Sequence, residues 1–188
     1  PAHSPQNELT PIEPVSPYGA VKAFAHRMAQ VSRIHGQPVS TVILYNHESP
    51  RRPDTFVTRK ITKAAARIAN GSDEPLHLGD MSARRDWGCA GDYVRAMRAA
   101  VRADEPDDFV IATGISHSIE DFVSQAFAAA GITDWRAHVA VDEGLLRPQD
   151  PADFVGDASK AERVLGWRPE VAFAGLVAMM VEHDLALQ

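Results

Sequence analysis

Apolar positions along the chain fall into segments with two alternating periods. Ser16 before Pro17 reads as an N-cap and first helical residue, because proline's missing N–H has no intrahelical partner there. Val21, Phe24, Met28 and Val31 then make one helical stripe, and Gly36 suits the position past the helix end. Val39 to Tyr45 is rich in β-branched residues with little alternation, the pattern of a parallel strand buried on both faces. Val57, Ile61, Ala65 and Ile68 mark a second helix, facing inward, capped by Asp54 or Thr55 and ended by Gly71. Leu76–Leu78 reads as a short strand, Tyr93, Val94, Met97 and Val101 as a helix, and Phe109–Ala112 as a strand. Ser118 and Asp121 make a capping-box pattern ahead of Phe122, Val123, Ala126 and Phe127, in a helix closed by Gly131. His138–Val141 reads as a strand, Asp157 as the cap of a short helix, and Phe173, Leu176, Val177 and Met180 as the last helix. Strands alternating with helices predict α/β, with a doubly wound parallel sheet. Strands 76–78, 109–112 and 138–141 are expected in a second, smaller domain.

The connecting segments carry the polar chemistry. Five prolines in residues 1–17 predict an extended arm. Asn46 to Pro53 reads as a polar loop at the C-terminal end of the 39–45 strand, the edge where open α/β sheets bind ligands. Gly79 to Gly91 reads as a loop around Arg84-Arg85-Asp86-Trp87. No Gly-x-Gly-x-x-Gly turn occurs. Residues 1–70 supply one strong strand and two helices, half of a layered domain. Completion by a partner chain, or by a longer protein of which this is the C-terminal part, is therefore expected.

Composition narrows the classes. At 45% hydrophobic, the 188 residues support a core. A net charge of −6 argues against nucleic acid or an anionic membrane as the main partner. No apolar run is long enough to span a bilayer, and one cysteine, Cys89, fits a reducing, cytoplasmic setting. No Cys/His spacing points to a metal.

The helix starting at Pro17 places Tyr18 and Lys22 one turn apart on one face. An ammonium beside a phenol favours the phenolate, which is what a general base needs. A surface tyrosine with a solvated lysine is the bland alternative.

Ser16-Pro17-Tyr18-Gly19-Ala20-Val21-Lys22 resembles the Tyr-x-x-x-Lys element of the extended short-chain dehydrogenase/reductases. Further segments, in order, closely resemble the GDP-mannose 4,6-dehydratase family: Leu44 to Arg52, Phe56 to Thr62, Leu78 to Met81 and Arg85 to Gly88. Phe109 to Gly114, Gly156-Asp157 and Leu165-Gly166-Trp167 extend the likeness, which covers about residues 9–185 and only the C-terminal part of the family's chain. The resemblance implies a Rossmann-type sheet plus a smaller α/β domain for the GDP-sugar. Residues 1–72 would be the remainder of the cofactor domain, and 73–188 mostly the substrate domain, with some segments returning to the first.

It further implies an NADP-dependent lyase, a homo-oligomer (dimer or tetramer), acting on GDP-mannose in deoxysugar biosynthesis. The C4 hydride passes to the cofactor, water leaves across C5 and C6, and the hydride returns to C6. Tyr18 would take the C4 hydroxyl proton, and Lys22 would hold the nicotinamide ribose. His47 and Arg52 match cofactor contacts, with Arg52 in a loop that can reach a neighbouring subunit; Asn46, Lys60, Arg85 and Arg147 match substrate contacts. Arginine's planar fork suits a diphosphate.

Taken singly, Arg84 and Arg85 beside Asp86 also fit a surface ion pair, Lys60 a solvated helix face and His47 a structural hydrogen-bonder. Cys89 reads as inert. The family's glutamate after the late Arg-Pro is replaced in register by Asp150, and its threonine and glutamate acid/base pair lie outside the seventeen residues before Tyr18. The chain alone is accordingly expected to be inactive. Another sugar-nucleotide epimerase or reductase, and a non-catalytic nucleotide-binding or oligomerisation remnant, are the alternatives.

Overall fold

The computed structural model describes residues 4–145 and 154–188; Arg147 and Asp150 lie outside the described residues. In chain order the elements are α1 (Pro17–Ile34), β1 (Thr41–Leu44), β2 (Asn46–Glu48), α2 (Val57–Ala69), β3 (Leu76–Leu78), β4 (Arg84–Cys89) and α3 (Ala90–Val101), followed by β5 (Asp108–Ile111), β6 (Ser116–Ser118), α4 (Ile119–Ala129), β7 (Val139–Val141), α5 (Ser159–Leu165) and α6 (Phe173–Leu185). Three small sheets hold the strands: β1 parallel to β5, β2–β4–β6, and β3 parallel to β7. In the middle sheet β4 runs parallel to β2 and antiparallel to β6.

Local rules account for the helix ends. The Ser16 hydroxyl accepts the Gly19 N–H at 3.1 Å with Pro17 at the helix start, and Gly36 takes φ +79° just past the C-cap. Ser118 and Asp121 close a full capping box on α4. Helix α2 departs from expectation: its N-cap is Phe56, without a side-chain cap, because Asp54 is engaged with Lys63 at 2.6 Å. Asp157 sits one residue before the N-cap of α5 and accepts the Ser159 N–H instead.

Two apolar clusters form the interior. The larger packs α2, α4 and α6 against β4, with Ile61, Phe122, Leu176 and Trp87 at its centre. The smaller sets Tyr93 and Trp167 against Phe109 and Ile111 of β5. In α3 the inward residues are Asp92, Tyr93, Ala96 and Ala100; Val94 and Val101 of the expected stripe are exposed, because small alanines let the helix lie close to the strands.

Helix α1 buries none of its residues, and Phe24 of its apolar stripe is 65% exposed, in keeping with the half of a layered domain that residues 1–70 supply. Gln30 and Arg33 tie it to β5 through Asp108 at 3.0 and 2.7 Å. Two expectations are corrected. Strand β1 is half-buried throughout and not buried on both faces, since among the described residues one of its edges is unpaired. Strand β5 pairs with β1 and does not join β3 and β7. The proline-rich arm is tied to the body of the chain: Gln6 bridges to Gly156, and the Glu8 carboxylate accepts the Val110 N–H at 2.7 Å.

Candidate functional site

Tyr45 ends the pairing of β1 with β5, and the chain then switches neighbours. Asn46, His47 and Glu48 pair with Trp87, Gly88 and Cys89. Part of each segment read as a loop in the sequence, Asn46–Glu48 and Arg84–Cys89, is therefore strand. Their polar content is compatible with pairing because side chains alternate between faces. Arg85, Trp87, Asn46 and Glu48 share one face, and Asp86, Gly88 and His47 the other. The contacts agree: Trp87 meets Phe122 and Phe173, whereas His47 stacks on Tyr93 with centroids 5.2 Å apart.

On the first face Arg85 lies opposite His117, whose ring stacks on Phe173 at 3.7 Å. Burial pushes the His117 ring below its ordinary value, so it is neutral at pH 7. The Arg85 guanidinium stands 5.6 Å from the Phe154 ring and donates to the Arg84 carbonyl at 2.7 Å. The run Arg84-Arg85-Asp86 is not a simple surface ion pair. Arg84 turns to Ser116 and Asp121, while Asp86 is fully buried and accepts from Thr113 and Gly114.

Glu48 anchors the segment after β2. It is 1% exposed, accepts the Thr58 hydroxyl at 2.8 Å and lies 3.1 Å from Arg52 Nε. Burial raises its carboxyl above the usual carboxylate value, against the opposing pull of Thr58, Arg52 and His47. Arg52 is thereby fixed, with its guanidinium 3.7 Å over the Phe56 ring. His47 Nδ1 meets the Tyr45 carbonyl at 2.8 Å, which orients the ring.

The structure thus brings Asn46, His47, Arg52 and Arg85 onto one small sheet and its following loop. It does not join the remaining residues to them. Lys60 is exposed and donates to the His77 carbonyl at 2.6 Å, at the junction of α2 and β3. Tyr18 is 73% exposed, with the Lys22 ammonium 5.6 Å from its ring centroid. Among the described residues no hydrogen bond, ion pair or ring contact links Tyr18 or Lys22 to Asn46, His47, Arg52 or Lys60. The sequence reading missed the roles of Asp86 and Glu48. Their one available signal was a carboxylate inside an otherwise β-compatible run.

The fold recurs in solved structures of Rossmann-type dehydratases and epimerases. The structure of RMD from Pseudomonas aeruginosa complexed with NADPH superposes with TM-score 0.85 at 20% identity, over 96% of this chain and 60% of that one. The dTDP-glucose 4,6-dehydratase of Bacillus anthracis in complex with NAD gives 0.81 at 20% identity, over 94% and 54%. In sequence, the family model described as GDP-mannose 4,6 dehydratase matches residues 1–180. GDP-mannose 4,6 dehydratase 1 of Arabidopsis thaliana is 47% identical over 184 residues, covering 97% of this chain and 51% of the relative. The Homo sapiens GDP-mannose 4,6 dehydratase is 43% identical over 200 residues, covering 97% and 54%. The fold is therefore of the Rossmann type that these structures share. Within it, the chain belongs to the GDP-mannose 4,6-dehydratase family, and it spans about half the length of the curated relatives it matches.

Proposed function

We propose that this chain supplies the nucleotide-sugar pocket and the tyrosine–lysine pair of a GDP-mannose 4,6-dehydratase, which converts GDP-mannose to GDP-4-dehydro-6-deoxy-mannose with loss of one water. The observation that carries the reading is the family match along residues 1–180, together with the pairing of β2 and β4 that sets Asn46 and Arg85 on one face. Two relatives of this family share 43% and 47% of their aligned residues with the chain.

The residues present fit one end of an NADP molecule. Tyr18 and Lys22 are exposed on one turn of α1, a phenol and an ammonium suited to the ribose and nicotinamide end; His47 and Arg52 are assigned to it as well. NADP, when bound, would supply the hydride acceptor and donor of the cycle. Tyr18, as the phenolate that the Lys22 charge favours, would take the C4 hydroxyl proton. Arg85, Arg147, Lys60 and Asn46 grip the GDP-sugar, the arginines on its diphosphate. We assign the active assembly to a cytoplasmic homo-oligomer, dimer or tetramer. The domain division at residue 72 belongs to the same proposal, as does the inactivity of the 188-residue chain by itself, in which no glycine-rich cofactor turn occurs.

Selectivity tests the reading. The chain is expected to bind GDP-mannose in preference to UDP-glucose, and to form no 4-keto sugar when NADP is added. Tighter binding of UDP-glucose would favour an epimerase of another sugar nucleotide. Formation of 4-keto sugar by the isolated chain would contradict the assigned inactivity.

A further inference from the structure

The Asp86 carboxylate ties two separate segments to β4. Its Oδ1 accepts the Thr113 N–H at 2.9 Å and the Thr113 hydroxyl at 2.6 Å. Its Oδ2 accepts the Gly114 N–H at 2.9 Å and the Gly156 N–H at 3.3 Å. The side chain is 0% exposed, so these donors replace water entirely. Such a fully hydrogen-bonded carboxylate is a rigid staple, because each segment that drifts leaves a buried charge under-satisfied.

The staple has a consequence for the residue beside it. Asp86 and Arg85 are adjacent on β4 and point to opposite faces. Segment 154–156 is held at one point by Asp86, through Gly156, and at another by the bridge between Arg85 and Phe154. The Phe154 ring is the surface on which the Arg85 guanidinium rests. Gly156 lies close against its neighbours: a Cβ there would meet Ala112 Cβ at 2.4 Å and the Tyr45 ring at 2.8 Å. The arm closes the other side, where Gln6 pairs with Gly156 and accepts the Tyr45 hydroxyl at 2.6 Å. Burial first, and the Asp86 charge second, push that hydroxyl up to about 12, so it stays a donor.

We infer that Asp86 is the positioning residue of the diphosphate site: it locks the 113–114 turn and the 154–156 segment onto β4 and thereby sets the orientation of Arg85. The inference rests on the GDP-sugar reading above.

Calorimetric titration of GDP into wild type, Asp86→Asn, Arg85→Ala and the double variant tests it. Asparagine keeps the shape but turns an amide N–H toward one pair of N–H donors. Asp86→Asn is expected to weaken GDP binding about tenfold, and the double variant to bind no more weakly than Arg85→Ala alone. That non-additivity is the signature of action through Arg85; a merely structural role gives losses that add. Thr113→Ala, a milder change that removes one hydroxyl donor, guards against misfolding of Asp86→Asn. It is expected to weaken GDP binding a few-fold in the wild type and not at all in the Arg85→Ala background. Wild-type affinity in folded Asp86→Asn or in Thr113→Ala, or additive losses, overturns the inference while leaving the GDP-sugar reading intact. Absence of GDP binding by the wild type overturns both.

Discussion

Arg59 and Asp184 form an ion pair between α2 and α6, with side chains 6% and 0% exposed. Truncating Asp184 to alanine strands the guanidinium. Its next carboxylate, Asp54, is 4.0 Å away, 65% exposed and already bound to Lys63. Breaking a buried pair from one side costs about 3–5 kcal/mol, because the remaining charge is desolvated without compensation. The pair itself is incompletely satisfied: Arg59 Nε and Asp184 Oδ2 have no hydrogen-bond partner among the described residues. Its attraction therefore does not fully offset the desolvation of both groups, and Arg59→Met with Asp184→Leu is expected to lie within about 1 kcal/mol of wild type, or above it. Urea unfolding measures both. At a slope of about 1–3 kcal/mol per molar, a 4 kcal/mol loss moves the midpoint down by more than about 1 M. A midpoint unchanged in Asp184→Ala, or a double variant as unstable as the sum of its parts, would refute the reasoning.

Three other outcomes are expected. Burial pushes the Asp108 carboxyl up, but the hydrogen bonds from Gln30 and Arg33 and the Arg33 charge outweigh it and hold the group below its ordinary 3.8, so its contribution is present above that value and is lost as pH falls further. The acid limb of stability against pH is expected to flatten in Asp108→Asn, and an unchanged limb would contradict this. Gly88→Ala is expected to destabilise by about 1–3 kcal/mol in thermal or urea unfolding, since its Cβ would meet the buried Tyr93 ring at 2.4 Å. Phe24→Ser, on the uncovered stripe of α1, is expected to change the stability of this chain by less than about 0.5 kcal/mol; a loss of 3 kcal/mol would mean the helix is packed.

The helices were legible in the sequence because their signals are local. A capping serine marks α1 and α4, with a following proline at α1, and a periodic apolar face marks α1, α2, α4 and α6. The strands β2, β4 and β6, of three, six and three residues, were not, because a short strand rich in polar residues looks like a loop until its partner is known. Asn46 pairs with Trp87, forty-one residues away, and no local pattern announces such a contact. The partner of β5 is equally non-local. Candidate residues were named by resemblance to a family; the geometry then joined Asn46, His47, Arg52 and Arg85 and left Lys60 and the Tyr18–Lys22 pair on other elements. The carboxylates that organise this sheet, Glu48 and Asp86, carry their meaning only in burial and hydrogen bonding.

Whether Arg85 binds the diphosphate is the claim on which the functional account turns, and calorimetric titration of GDP measures it. A charge-assisted hydrogen bond contributes on the order of 1.5–3 kcal/mol. At 1.4 kcal/mol per decade, Arg85→Ala is predicted to weaken GDP binding roughly ten- to a hundredfold, while Tyr18→Phe leaves it nearly unchanged because the phenol acts on the sugar. Equal GDP affinity in wild type and Arg85→Ala would contradict the account.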